Sequence, residues 1–195
     1  MSPRAKSRRA FLLQSLSGVG AAWYAANHAG ILATEEFVLH AAQSGQPGAL
    51  QFFTREQAVE VEAMAAQIIP TDGTPGAREA RVVNFIDRAL ATFEKDEQPA
   101  YVKGLSDLQA QTKQLYPSAG TFSALTSDQQ VKVLTAMEKG PFFNLVRTHT
   151  VSGFLASPAH GGNAGKVGWK LVSYDDSLNH KPPFGYYDAL PQTRR

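Results

Sequence analysis

The chain has no cysteine in 195 residues. That excludes disulfides, iron–sulfur ligation and covalent haem attachment through Cys-x-x-Cys-His. It does not fix the compartment, because an exported protein need not use disulfides. Charge is sparse and nearly balanced, with 19 basic and 17 acidic residues. No basic stripe with interleaved aromatics occurs, so nothing marks a nucleic-acid binder. Alternating strand patterns, internal repeats and charge blocks are missing too. The usual catalytic signatures are absent: no Gly-x-Ser-x-Gly elbow, no His-Glu-x-x-His and no Glu-x-x-His pair of the di-iron type. Two glycine-rich runs imitate nucleotide loops and fail on detail. Gly161-Gly162-Asn163-Ala164-Gly165-Lys166-Val167 has the wrong spacing and a valine where magnesium needs Ser or Thr, and Gly18-Val19-Gly20 follows no strand.

Acidic residues are missing from residues 1–33, and this absence has a pattern. Arg4, Lys6, Arg8 and Arg9 crowd the start, and an uncharged run rich in Ala, Gly and Ser extends from Ala10 to Thr34. Paired Arg8 and Arg9, followed by Phe11 and Leu12 and a weakly apolar stretch, form a twin-arginine export signal. That route carries folded proteins and predicts a periplasmic destination. No clean Ala-x-Ala marks a cleavage point. The run reaches the roughly 20 residues that span a bilayer, so retention as an anchor is the alternative, although Gln14, Asn27 and His28 suit a permanent membrane helix poorly. Without residues 1–33 the chain holds 15 basic and 17 acidic residues, a net charge of −2.

The rest divides into a linker over 34–53, with a short helix at 35–42, a helical domain over 54–175 and an extended tail over 176–195. Thr54 with Gln57 and Thr126 with Gln129 have capping-box spacing. Ala58, Val61, Met64, Ala65 and Ile68 form the apolar stripe of a first helix, which Pro70 ends. Val82, Phe85, Ile86, Ala89, Leu90 and Phe93 stripe a second over 77–93, whose wet side holds Arg81, Asp87 and Arg88. A third runs over 99–116 through Tyr101, Leu105, Leu108, Thr112 and Leu115. Val131, Leu134 and Met137 face inward on a fourth. A fifth carries Phe142, Leu145, Val146, His149, Val151, Gly153 and Phe154. The predicted fold is all-α, a small irregular bundle of about five helices with a glycine-rich C-terminal loop, an N-terminal signal helix and the extended tail. Phe184, Tyr186 and Tyr187 give that tail aromatic contact area.

The stretch 142–174 is the part the bundle is built to hold. Its loop runs through Pro158, Gly161, Gly162, Gly165 and Gly168 to Trp169, and it reads either as a binding surface or as a structural cap on the bundle. His149 reads as a hydrogen-bonded core histidine and His160 as a loop cap, with no metal site. The alternative is a metal- or ligand-binding protein in which His149 and His160, completed by an acid, are the ligands. Arg147 is a candidate ion-pair partner for Asp72, Asp175 or Asp176.

Taken in order, these pieces resemble a known family. They are Ser7-Arg8-Arg9-Ala10-Phe11-Leu12, Ile68-Ile69-Pro70-Thr71-Asp72 with Thr74-Pro75-Gly76-Ala77, and Val83-Asn84-Phe85-Ile86-Asp87. Phe142-Phe143 with Arg147-Thr148-His149-Thr150 follows, then Gly161-Gly162-Asn163 through Val167-Gly168-Trp169. Over about residues 52–175, plus the signal, the chain resembles the gluconate 2-dehydrogenase subunit 3 family. It departs at Gly73, where a second acid is common, at His160, where an aromatic is common, and in a longer tail.

The resemblance implies a non-catalytic small subunit of a periplasmic, membrane-associated sugar or sugar-acid dehydrogenase. It implies no cofactor in this chain, FAD in a large catalytic partner, and haem c in a cytochrome subunit where one is present. The small subunit supplies the export signal through which its signal-less partner hitchhikes across the twin-arginine translocase. It carries over no catalytic residues. Arg147, His149, His160, Asn163 and Trp169 are the candidate partner contacts.

Overall fold

The structure is a computed structural model and describes residues 49–176. The signal segment, the helix expected at 35–42 and the tail aromatics lie outside the described residues. Six α-helices form, and no strand occurs among the described residues: α1 (Arg55–Ile68), α2 (Val82–Ala91), α3 (Gln98–Leu115), α4 (Ser127–Met137), α5 (Pro141–Leu155) and α6 (Val167–Val172). Short 3₁₀ turns at Lys95–Glu97, Pro158–His160 and Ala164–Lys166 link them. The all-α expectation holds, with one helix more than the sequence suggested.

Helices α1, α2 and α5 pack on one another as the centre, α3 and α4 flank them, and α6 lies on α5. Val61 and Met64, Ile86 and Leu90, Val146 and Phe154 meet there, all fully buried. Each such side chain contributes roughly 1.5–3 kcal/mol of transfer free energy. Both capping boxes form. The Gln57 N–H donates to Thr54 Oγ1 at 3.2 Å while Gln57 Oε1 accepts from the Thr54 N–H at 3.0 Å. Gln129 and Thr126 repeat the arrangement. Gly104, which weakens α3 by propensity, is a notch for α5: a Cβ there would lie 2.1 Å from the Phe142 ring.

Three carboxylates tie loops to this frame. Glu79 accepts from the Gly76 N–H at 2.6 Å and from Thr71 Oγ1 at 2.8 Å, locking the proline-glycine connector after α1. The Gly76 hydrogen bond, then the Thr71 hydroxyl, hold its carboxyl below the usual range. Glu60 accepts from the N–H groups of Phe122 and Ser123 and from the Ser123 hydroxyl. Asp87 accepts three N–H groups from the bent segment before α1: Gln51 at 2.7 Å, Phe52 at 3.0 Å and Phe53 at 2.8 Å.

Asp87 departs from the sequence expectation. It was assigned to the wet side of α2 by its charge, and it is buried because those three donors satisfy it. Residues 51–53, which fall in the stretch read as linker, are thereby held on the body. The Asp87→Asn variant is expected to keep the fold, lose about 1–2 kcal/mol and expose the amides of residues 51–53 to faster hydrogen exchange. Unchanged exchange there would show that the segment does not depend on the carboxylate.

Two further differences concern registers. Helix α2 begins at Val82 rather than 77, because Arg81 adopts a left-handed conformation with φ 53° and interrupts the run. In α4 the inward residues are Gln130, Val133 and Leu134, whereas Val131 is 47% exposed. Gln130 turns the helix: it accepts from Gln67 Nε2 at 2.7 Å and donates to the Phe122 carbonyl at 3.2 Å.

Candidate functional site

Helix α5 brings the chemistry-bearing residues together. Phe142, Val146, His149 and Gly153 follow at four, three and four, which stacks them on one face. That face points inward, so His149 is wholly buried. Tyr101 of α3 lies against it with rings 14° from parallel, and its hydroxyl is 2.8 Å from His149 Nδ1. On the other side, His149 Nε2 is 2.7 Å from Glu94 Oε2, in the connection between α2 and α3. Phe53 and Phe142 enclose Tyr101, each with its ring centroid 5.6 Å away.

The proton positions follow from chemistry. Burial first, then the charges of Glu94 and Glu97, push the Tyr101 phenol well above its ordinary range, so it keeps its proton. Its O–H is available to donate to Nδ1, 2.8 Å away. On the opposite edge of the ring, Nε2 faces the Glu94 carboxylate at ion-pair distance, 2.7 Å. The network joins α5, α3 and the α2–α3 connection around one imidazole.

The glycine-rich loop closes the other end of α5. An α-helix leaves its last carbonyls without internal partners. Here Trp169 Nε1–H donates to the Leu155 carbonyl at 2.7 Å, and Asn163 Nδ2 donates to the Ala156 carbonyl at 2.9 Å. Asn163 Oδ1 accepts in turn from the Gly168 N–H at 2.8 Å. Gly162 and Gly168 sit directly on the end of α5, where an added Cβ would fall 2.2 Å from the Gly153 carbonyl oxygen and 1.9 Å from that of Phe154. The loop is anchored to α2 as well. The Ala164 N–H donates to the Ala80 carbonyl at 3.0 Å, and Arg88 reaches the Ala159 carbonyl at 3.3 Å.

Helix α6 ends in a Schellman arrangement. Ser173 takes the left-handed position (φ 59°) and donates to the Lys170 carbonyl, while the Tyr174 N–H donates to that of Trp169. The hydrophobic contact that goes with this motif is the Trp169–Tyr174 ring pair, edge to face with centroids 5.1 Å apart. Lys166 lies 5.6 Å over the Trp169 ring and pairs with Asp176 at 2.6 Å.

The residues singled out from sequence thus separate. His149 and Asn163 are wholly buried and engaged internally, whereas Arg147, His160 and Trp169 keep part of their surface. His149 Nδ1 is bonded to the Tyr101 hydroxyl and Nε2 faces Glu94. No group of three or more His, Cys, Asp or Glu side chains is arranged to hold a metal among the described residues. Asp176 is taken by Lys166, and Arg147 forms no ion pair among the described residues. Sequence reasoning missed Glu94 and the Tyr101–His149 bond. Their partners are 48 to 55 positions apart, beyond any local spacing rule.

Residues 55–175 match the family described as Gluconate 2-dehydrogenase subunit 3. The chain belongs to that family. The match covers all six helices of this subunit 3 protein, the buried Glu94–His149–Tyr101 network and the loop through Tyr174. No curated protein and no solved structure matches the chain. Among the described residues of this subunit 3 protein, no helix is long and apolar enough to cross a membrane.

Proposed function

We infer that the chain is the non-catalytic small subunit of a periplasmic, membrane-associated FAD-dependent dehydrogenase of the gluconate or sugar type. The observation that carries this reading is the family match over residues 55–175. In this reading the large partner binds FAD and oxidises the substrate, and a cytochrome subunit with haem c passes electrons onward where one is present. The small subunit holds the flavoprotein through the 142–174 region, stabilises it, and lends it the twin-arginine signal at Arg8, Arg9, Phe11 and Leu12.

Two features support it. The body's buried polar side chains are largely committed to holding its own frame: Asp87 binds backbone and Glu94, Tyr101 and His149 bind one another. A folded-protein export route makes sense for a chain that travels with a cofactor-loaded partner. The tagged chain, purified from its own cells, is expected to bring down a large protein with a flavin absorbance spectrum. A lone, colourless chain would count against the stable complex. Arg8→Lys combined with Arg9→Lys is expected to strand both proteins in the cytoplasm on fractionation, and export of the flavoprotein in that strain would refute the shared signal.

A further inference from the structure

The rigid face around α6 has a chemistry of its own. Four basic residues belong to the stretches that build it. Arg81 is exposed beside Ala80, whose carbonyl anchors the loop, and Arg88 lies under Gly161 with its side chain 3.2 Å from where a Cβ would sit. Lys166 and the exposed Lys170 flank Trp169. Tyr174 stands beside Trp169 and is 57% exposed. Asp176 offsets one of these charges by pairing with Lys166, and Asp175 stands next to it. The backbone that carries the face is fixed. Gly161, Asn163, Gly165, Lys166 and Ser173 all have positive φ, and the loop is bonded to the end of α5 and to Ala80, just ahead of α2. A surface held this way loses little freedom on binding. Its composition, a Trp–Tyr pair with arginines and lysines around it, is that of an interface hot spot.

We propose that this face, Arg81, Arg88, Lys166 and Lys170 around Trp169 and Tyr174, is the docking surface for an acidic patch on the catalytic dehydrogenase subunit. The proposal rests on the subunit reading above and names the part of the chain that makes the contact. Charge complementarity selects the occupant. Basic side chains framing an aromatic pair attract an acidic protein surface, and the aromatics fill its pockets. An anionic membrane is the other occupant of suitable sign, and the rest of the molecule argues against it. Residues 34–195 carry 15 basic and 17 acidic residues, so the body as a whole is repelled by an anionic leaflet. Three unpaired cations also fall short of the 4–8 clustered basic residues that lipid recognition uses.

The test is co-purification of the full-length tagged chain from its native cells, with flavin absorbance of the eluate as the readout. Wild type is compared with Lys166→Glu combined with Lys170→Glu, and with Tyr174→Ala, each checked for folding by circular dichroism. Both variants are expected to fold, and each should lower flavoprotein capture about tenfold. Capture by wild type should weaken as salt is raised. If wild type brings down no flavoprotein, the subunit reading itself fails. If wild type brings it down and both folded variants do so equally well, the reading stands and this surface is wrong. Sedimentation of the purified chain with phosphatidylserine vesicles, abolished by the lysine reversal while flavoprotein capture is unaffected, would assign the face to the membrane and overturn the proposal.

Discussion

Replacing His149 by alanine is expected to destabilise the domain by about 3–5 kcal/mol, the range for truncating a large, fully buried side chain. The ring is wholly buried, and both of its nitrogens are engaged, by Tyr101 at 2.8 Å and by Glu94 at 2.7 Å. Truncation leaves the buried Glu94 carboxylate and the Tyr101 hydroxyl without the imidazole they face, and it opens a cavity between α3 and α5. For a domain of this size the loss corresponds to a fall in Tm of roughly 10–20 °C. Thermal unfolding followed by circular dichroism checks it. A double-mutant cycle with Glu94→Ala separates the pair from the cavity: once Glu94 is gone, His149→Ala should lose a smaller increment. Equal losses in both backgrounds would show that the cavity, not the His149–Glu94 pair, sets the effect.

A Gly168→Ala substitution should be nearly as damaging, and for a purely steric reason. The new methyl would lie 1.9 Å from the Phe154 carbonyl oxygen, and that atom belongs to helix backbone, which cannot rotate aside as a side chain can. Helix α6 must then lift from α5, which strains or breaks the Trp169–Leu155 and Asn163–Gly168 hydrogen bonds. A loss of about 3 kcal/mol or more follows, at the upper end of overpacking effects. Two other glycines serve as controls. Gly165→Ala meets nothing closer than a Val167 methyl at 4.0 Å and is strained only by its φ of +62°, so it should lose about 1–2 kcal/mol. Gly120→Ala has open space and a φ outside the left-handed region, and should change stability by less than about 1 kcal/mol. If all three behave alike, close packing of the loop on α5 is not what holds it.

These two residues also show what could and could not be read from the chain. Both capping boxes, the proline stops and the inward stripe of α5 were legible because each depends on residues within one or two turns. The inward placement of His149 came from the same spacing, four and three residues from its apolar neighbours. Its partners did not, since periodicity gives a face and says nothing about what meets it. Asp87 was misplaced because charge normally marks solvent, and only the position of residues 51–53, more than thirty residues away, makes its burial favourable. Val131 and Val133 are the same residue type, and the choice between them was made by Gln130, whose partners lie on α1 and the preceding loop. Helix α6 escaped notice because its C-terminal cap uses Ser173 where a glycine would have announced the turn. The density of glycine around Trp169 did signal a loop with a demanding path, and the structure shows the demand to be contact with the end of α5.

The three amide bonds to Asp87 also set where the smallest self-sufficient piece of this molecule begins. The family match opens at residue 55, at the first turn of α1. A fragment trimmed to that point would keep every helix of the described residues, yet its Asp87 would be a buried anion stripped of its donors, and the place of Phe53 beside Tyr101 would be vacant. Trimming that stops before Gln51 keeps the cradle filled. The boundary drawn by sequence similarity and the boundary drawn by energetics therefore differ by four residues, and a protease or an engineer who respects only the first would receive a weaker fold.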